Sequence, residues 1–364
     1  MVIRNMRVGY VVTEMVRVGL LMCFVGLLFV PFMSGFPVGM FAVGTVEAQE
    51  AEFNFIGYGD TRGAAPMEGV SPLHAGLVDL YLQENPELIV HTGDMVKEGG
   101  YWSQWVDFND SMQAVWAAEI PFYGAVGNHE MYGDDYDFNN YTTYFDFSSV
   151  VDTPGETELN YGFTHEGVHF VFLNTEYTWN AGQYDCPSAQ LSWLNSYLSS
   201  TTEEAFIVVV FHRPAWSIRA YRPDRWAEAE SVRAQFHAMF LQFDVDLVLN
   251  GHDHYYYRTL RDGIYYVTTG GGGAPLAGIN TSAPVWQSGD VAASEYHYCN
   301  IEVNSTDVAV TVYLSNHSLL DSFSIDRPIS LPPPFPVEVL VLALGLCAIA
   351  IIVIVVIIYW RRKS

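Results

Sequence analysis

The chain has 364 residues, with 16 Lys and Arg against 41 Asp and Glu, and a formal net charge of −25. Half of the residues are hydrophobic and 15% are aromatic, which excludes a wholly disordered protein. So acidic a chain also makes a poor match for nucleic acid, whose phosphates are held mainly by Lys and Arg, and no nucleic-acid partner is expected.

Residues 1–48 read as a signal peptide or an N-terminal anchor. Arg4, Arg7 and Arg17 give a basic start, an apolar run follows from Val18 to Val46, and Val46-Glu47-Ala48 places small residues at the −3 and −1 positions of a cleavage after Ala48. At the other end, 339–358 is a charge-free apolar run, preceded by a stiff Pro-rich linker over 331–336 and followed by the basic residues Arg361, Arg362 and Lys363. That pattern predicts a transmembrane helix over 337–360 with a short tail at 361–364. The expected arrangement is single-pass in the cell membrane, with residues 49–330 facing outward as one domain. That exported part holds two cysteines, Cys186 and Cys299, which would form either one disulfide or two buried thiols.

Inside 49–330 the first strands are short apolar runs: Phe53–Tyr58, Leu88–His91, Phe122–Val126, Phe170–Leu173, Phe206–Phe211 and Leu247–Leu249. Helical spacing lies between several of them. Ser71-Pro72 opens one helix carrying Leu73, Leu77, Leu80 and Tyr81; Trp102, Trp105, Val106, Met112, Val115 and Trp116 form a second apolar face; Gln190–Leu198 and Val232–Phe240 form two more. After Gly263 only strands are read, which predicts a second sheet packed on the first within an α/β core.

Five polar clusters sit just after five of these strands: Gly59-Asp60-Thr61-Arg62, Gly93-Asp94, Gly127-Asn128-His129-Glu130, Phe211-His212-Arg213-Pro214 and Gly251-His252-Asp253-His254. In open α/β sheets the carboxyl ends of strands line the ligand crevice, so these clusters should meet. Carboxylate, amide oxygen and imidazole together suit Zn, Mn or Fe, and the absence of cysteine disfavours a structural zinc site. Two such ions sharing a carboxylate would clamp a phosphoryl group and generate a hydroxide nucleophile.

These motifs resemble the calcineurin-like metallophosphoesterases, the group that includes the purple acid phosphatases. The similarity runs from about Phe53 to Gly273 and is sharpest at Val245–His254 (VDLVLNGHDH) followed by aromatics and Arg258, at Gln190–Leu194 (QLSWL) and at Thr268–Pro275 (TTGGGGAP). The resemblance implies a four-layer α/β/β/α sandwich and a phosphatase or phosphodiesterase with two metal ions. Asp60 and His254 would bind the first ion, Asp94 would bridge, and Asn128, His212 and His252 would complete the second. His129 would act at the leaving group.

The sequence departs from that pattern twice. Arg62 stands where many members have a His, and Lys97 where purple acid phosphatases have a Tyr, so no Tyr–Fe(III) chromophore is expected. His74 and His91 are further candidate ligands, each more readily explained as a solvated or a packed residue. Arg62 would either contact a phosphate oxygen as a catalytic residue or pair with a local acid. Gly270–Gly273 reads as a tight turn near the metal loop. The leading expectation is a membrane-anchored phosphoesterase acting on small phosphate esters or nucleotides. The alternative is a surface binding or adhesion domain that keeps the fold with weakened catalysis.

Overall fold

The protein was analysed as a computed structural model, which describes residues 53–326 except 66–67, 134–136, 148–152, 158, 177, 181–182, 202–205 and 305–306. The strands in chain order are β1 (Phe53–Tyr58), β2 (Leu88–His91), β3 (Phe122–Gly124), β4 (Thr153–Thr157), β5 (Asn160–His165), β6 (Val168–Phe172), β7 (Thr178–Asn180) and β8 (Gln183–Asp185). They continue with β9 (Phe206–Val210), β10 (Leu247–Asn250), β11 (Tyr256–Arg261), β12 (Ile264–Thr269), β13 (Val291–Ala293), β14 (His297–Val303), β15 (Asp307–Leu314) and β16 (Leu319–Asp326). The helices are α1 (His74–Tyr81), α2 (Trp102–Ser111), α3 (Gln113–Ala117), α4 (Asn139–Tyr144), α5 (Ser188–Leu198) and α6 (Pro223–Gln242).

Two mixed sheets carry the domain. One has the order β16-β15-β14-β1-β2-β3, the other β13-β11-β12-β10-β9-β6-β5-β4. β1, β2 and β3 are parallel, as are β6, β9, β10 and β12, and antiparallel strands extend both sheets outward. The late strands therefore do not build a second sheet of their own. β14 pairs antiparallel with β1, Phe53 opposite Val303, and brings β15 and β16 onto the first sheet, while β12 and β11 join the second. Alternating burial along a strand fixes which face points inward but not which strand lies beside it.

The sheets face each other through alternate residues. Phe55 meets Phe170 edge to face at 5.1 Å, Tyr123 meets Phe163 at 4.1 Å, and a Cβ on Gly57 would lie 3.2 Å from both Leu249 and Ile301. The opposite faces carry helices. Tyr58 packs on His74 and Tyr81, and Phe108 on His91 and Phe122. On the other side Ile207, Val209, Phe211 and Val248 cluster with Leu194, Val232, Phe236 and Phe240. β9 is thus buried on both faces along all five residues, which is why its sequence is uniformly apolar. Each such side chain contributes roughly 1.5–3 kcal/mol of burial. The result is the expected α/β/β/α sandwich.

Several expectations are corrected here. Trp102 and Val106 are each 46% exposed and Leu73 49%, whereas Trp105, Phe108, Met112 and Val115 are buried. The stripe at 105, 108 and 112 faces the sheet, and 102 and 106 lie on another side of the helix. Of the two alternatives left open for Cys186 and Cys299, the structure has the pair of buried free thiols. Cys186 lies in the cluster outside the second sheet, and Cys299 lies on β14, where it donates to Thr269 Oγ1, so no bridge joins them.

The membrane expectation is corrected as well. No helix among the described residues is long and apolar enough to cross a membrane. α6 is long enough, but Asp224, Arg225, Glu228, Glu230 and Arg233 interrupt it. The runs at 1–48 and 337–360 lie outside the described residues. Residues 53–326 thus give no support to the expected single-pass location or membrane partner.

Candidate metal centre

The ends of β1, β2, β3, β9 and β10 converge, and each delivers its polar cluster to one crevice. Asp60, Asp94 and His252 have φ of 59°, 56° and 68°, a left-handed conformation uncommon outside glycine. Each is over-determined by its neighbours. The Asp60 N–H donates to Gly93 O at 3.0 Å, and the Asp60 carboxylate accepts the His252 N–H at 2.9 and 3.1 Å. Gly127 allows the β3 loop to approach, because a Cβ there would fall 2.4 Å from Asp94 Oδ1.

Backbone carbonyls orient the imidazoles. His212 Nδ1 donates to Thr92 O at 2.9 Å, His254 Nδ1 to Pro275 O at 2.7 Å, and His129 Nδ1 to Lys97 O at 2.6 Å. A carbonyl only accepts, so Nδ1 carries the proton and Nε2 turns into the crevice. His212 Nε2 lies 3.2 Å from Asp94 Oδ1 and 3.1 Å from His252 Nδ1. His254 Nε2 lies 3.4 Å from Asp60 Oδ1, and His129 Nε2 lies 3.8 Å from Asp94 Oδ2.

Two buried triads result, Asp94-His212-His252 and Asp60-Asp94-His254, each with ligand atoms within 4.8 Å of one another. They share Asp94. Asn128 Oδ1 is buried beside them without a hydrogen-bond partner. An orphaned amide oxygen costs about 1–3 kcal/mol unless something coordinates it, and a divalent ion would. The donor set therefore fits two ions: Asp60, Asp94, His212, His252 and His254 meet at the crevice, with Asp94 shared by the two groups.

The electrostatics agree. Burial alone would raise the Asp94 carboxyl, but His212, with His129 and Arg62, holds it well below the usual carboxylate range. Burial opposes the His212 cation, yet the Asp94 carboxylate pushes that imidazole up to about 10. Without an ion a proton therefore bridges the pair, and a bound ion takes that proton's place. His252 is held low by burial and by the cations Arg213 and Arg225.

Other candidates resolve differently. His74 is buried, not solvated; its Nε2 pairs with Tyr58 OH at 3.0 Å and its Nδ1 with Ser111 Oγ at 2.9 Å. His91 Nδ1 accepts the Gly93 N–H at 3.1 Å and so shapes the Asp94 loop. Neither belongs to a triad. Arg62 points inward, with Nε 3.5 Å from Asp94 Oδ2 and Nη2 3.4 Å from His254 Nε2. The glycine run packs against the β1 loop: Gly272 donates to Gly59 O at 2.8 Å, and a Cβ there would sit 2.4 Å from that oxygen. Arg258 bonds Asp321 at 2.6 Å, tying β11 to β16 and remote from chemistry.

The sequence reading gave no role to Glu130, although its motif was in view. This fully buried carboxylate accepts the N–H groups of Asp94 at 2.8 Å, Met95 at 2.7 Å and Gly127 at 2.7 Å, clamping two ligand loops together. It also missed the wall behind His252. Arg213 is held by Glu176 at 2.8 Å and by Glu228, and Arg225 on α6 pairs with Glu228 at 2.5 Å. Arg213, Arg222 and Arg225, with Tyr132 and the acids Asp224 and Glu228, line a cavity of about 240 Å3 that opens onto Asn128 and His252.

Comparison with known proteins agrees with this geometry. The family model described as calcineurin-like phosphoesterase matches residues 71–256, just over half of the chain. A probable inactive purple acid phosphatase of Arabidopsis thaliana is 23% identical over 317 residues, covering 76% of this chain and 49% of that protein. The chain thus spans about half the length of that curated relative. In fold it is similar to a purple acid phosphatase from yellow lupin (Lupinus luteus) seeds, with a TM-score of 0.62, 20% identity and coverage of 77% of this chain and 55% of that one. It is also similar to GAP50, the anchor in the inner membrane complex of Plasmodium, with a TM-score of 0.57, 17% identity and coverage of 78% and 90%. With the family model matched over four of the five strand-end motifs and two Asp/His triads placed for a binuclear centre, the chain belongs to the calcineurin-like phosphoesterase family.

Proposed function

We propose that the protein hydrolyses small phosphate esters at a binuclear metal centre. The observation that carries this reading is the pair of buried triads that share Asp94, with the unpartnered Asn128 Oδ1 lining the same crevice as His252. Asp60, His254 and Asp94 would hold one ion, and Asp94, Asn128, His212 and His252 the other. Ions bound there supply Lewis acidity to phosphoryl oxygens and lower the pKa of water.

The chain's own residues do the rest. Asn128 and the neutral imidazoles add no negative charge, so the centre keeps a net positive charge for an anionic ester. His129 is fixed by Lys97 O with Nε2 facing the crevice, placed to exchange a proton with a leaving oxygen. The cavity beside Asn128 and His252 is small, and its three arginines are paired with Asp224, Glu228 and Glu176, so its size rather than its charge suits a small ester. A strongly acidic exterior opposes long polyanions.

The test is hydrolysis of aryl phosphate mono- and diesters by the full chain with added Zn, Mn, Fe or Co, beside Asp94→Asn. Turnover that falls at least about a hundredfold in Asp94→Asn supports the reading. Turnover untouched by that change sinks it. A second reading, a fold-retaining binding domain without turnover, is favoured by Arg62 standing against the Asp60-Asp94-His254 triad. No hydrolysis with any of the four metals would select it.

A further inference from the structure

Arg62 is tied down at both ends. Its backbone N–H donates to Asp94 O at 3.2 Å and it forms a β-bridge with Val70. Its side chain is only 13% exposed, and the guanidinium reaches between Asp94 Oδ2 and His254 Nε2 at 3.5 and 3.4 Å. Those are two of the three groups in the Asp60-Asp94-His254 triad. Arg62 Nε is buried without a hydrogen bond, and among the described residues its one ion-pair partner is Asp94. The other triad differs. Arg62 meets it only at Oδ2 of the shared Asp94, whose Oδ1 faces His212, and its other cations, Arg213 and Arg225, face His252 Nε2 rather than Nδ1, the nitrogen turned to His212. Both are neutralised by Glu228, and Arg213 also by Glu176.

We propose that Arg62 is a built-in cation at the first ion's position, so that the two metal sites load in order and with unequal affinity. The inference rests on the metal reading above. Asp94-Asn128-His212-His252 takes an ion readily. Asp60-Asp94-His254 takes one only in competition with a guanidinium that already holds two of its ligands, and an ion there gains no fourth ligand from position 62. A unit charge held a few ångströms from an ion in a partly buried site weakens binding by about a hundredfold or more.

The test uses the full chain, with Mn(II) or Zn(II) alone as the probe. Bound metal is counted by elemental analysis after equilibrium dialysis against a graded series of free ion, for wild type, Arg62→His and Arg62→Gln. Wild type should bind one ion per chain first and a second only at about hundredfold higher free ion. Arg62→His, which removes the cation and offers a ligand, should bring the two steps within about tenfold. Arg62→Gln, which only removes the cation, should fall between them and covers the case in which the His variant misfolds. Two ions bound within tenfold of each other by wild type, unchanged in both variants, would overturn the inference and leave the metal reading standing. No bound ion in any of the three chains would overturn both.

Discussion

Replacing Glu130 by Gln changes one buried atom and should damage both stability and ion retention. Glu130 Oε2 accepts the N–H groups of Asp94 and Gly127, and Oε1 accepts that of Met95, all at 2.7–2.8 Å. An amide has one oxygen. In its better orientation Gln keeps the Asp94 and Gly127 bonds, weakened by the lost charge, and turns an NH2 toward the Met95 N–H. The lost charge-assisted bond and the stranded donor together cost about 2–4 kcal/mol. For a domain of this size that lowers Tm by roughly 5–15 °C. Burial, reinforced by the Asp94 carboxylate, pushes the Glu130 carboxyl up to about 7. Because that lies above the ordinary carboxyl value of 4.5, wild type gives up stability as pH rises from about 4.5 to 7, so its advantage over Gln should be larger near pH 5 than near pH 8. Thermal unfolding at both pH values, with bound metal counted before heating, reads the effect. A Tm within about 2 °C of wild type at pH 5, with ion content unchanged, would refute the argument that this side chain clamps the loops.

Asn128→Ala should weaken ion binding by at least about tenfold. In metal-free chain it should be neutral or slightly stabilising, since it deletes a buried acceptor without a partner; paired titration and melting measurements check both signs. His129→Asn should slow alkyl phosphates about 10²–10⁴-fold and aryl phosphates much less, because only the poor leaving group needs the proton; equal losses in kcat/KM would remove His129 from the leaving-group side. Burial pushes His74 down to about 3 and His297 down to about 4, below their ordinary value of 6.5. These groups stay neutral when folded and take up protons on unfolding, so the stability they contribute is present above pH 6.5 and lost as pH falls toward 4. The Tm of metal-free chain should drop across that window, and the slope should be shallower in His74→Gln.

The residues that meet at the crevice were legible in the sequence because each follows a short apolar strand, and strand ends of one α/β core must meet. Asp60 and His252 are 192 positions apart, yet both belong to motifs whose residue types already specify metal chemistry. Glu130 was not legible: its partners are backbone N–H groups, which leave no side-chain signature. Arg225 and Glu228 were hidden for a related reason, since they come from the exposed start of α6 and meet His252 only through folding. The role of Arg62 was half visible. Its departure from the family motif could be read, but the choice between a phosphate contact and an acid pair needed the distances to Asp94 and His254. The sheet order failed at β14, because pairing Asn54 with Glu302 depends on long-range packing that no local pattern encodes.

The most direct test of the binuclear centre is anomalous scattering from crystals of the full chain saturated with Mn(II). Two peaks roughly 3.5–4 Å apart, flanking Asp94, with Asn128 and His212 beside one and Asp60 and His254 beside the other, are what the arrangement predicts. A crystal at saturating ion with no peak within reach of Asp94 would contradict it.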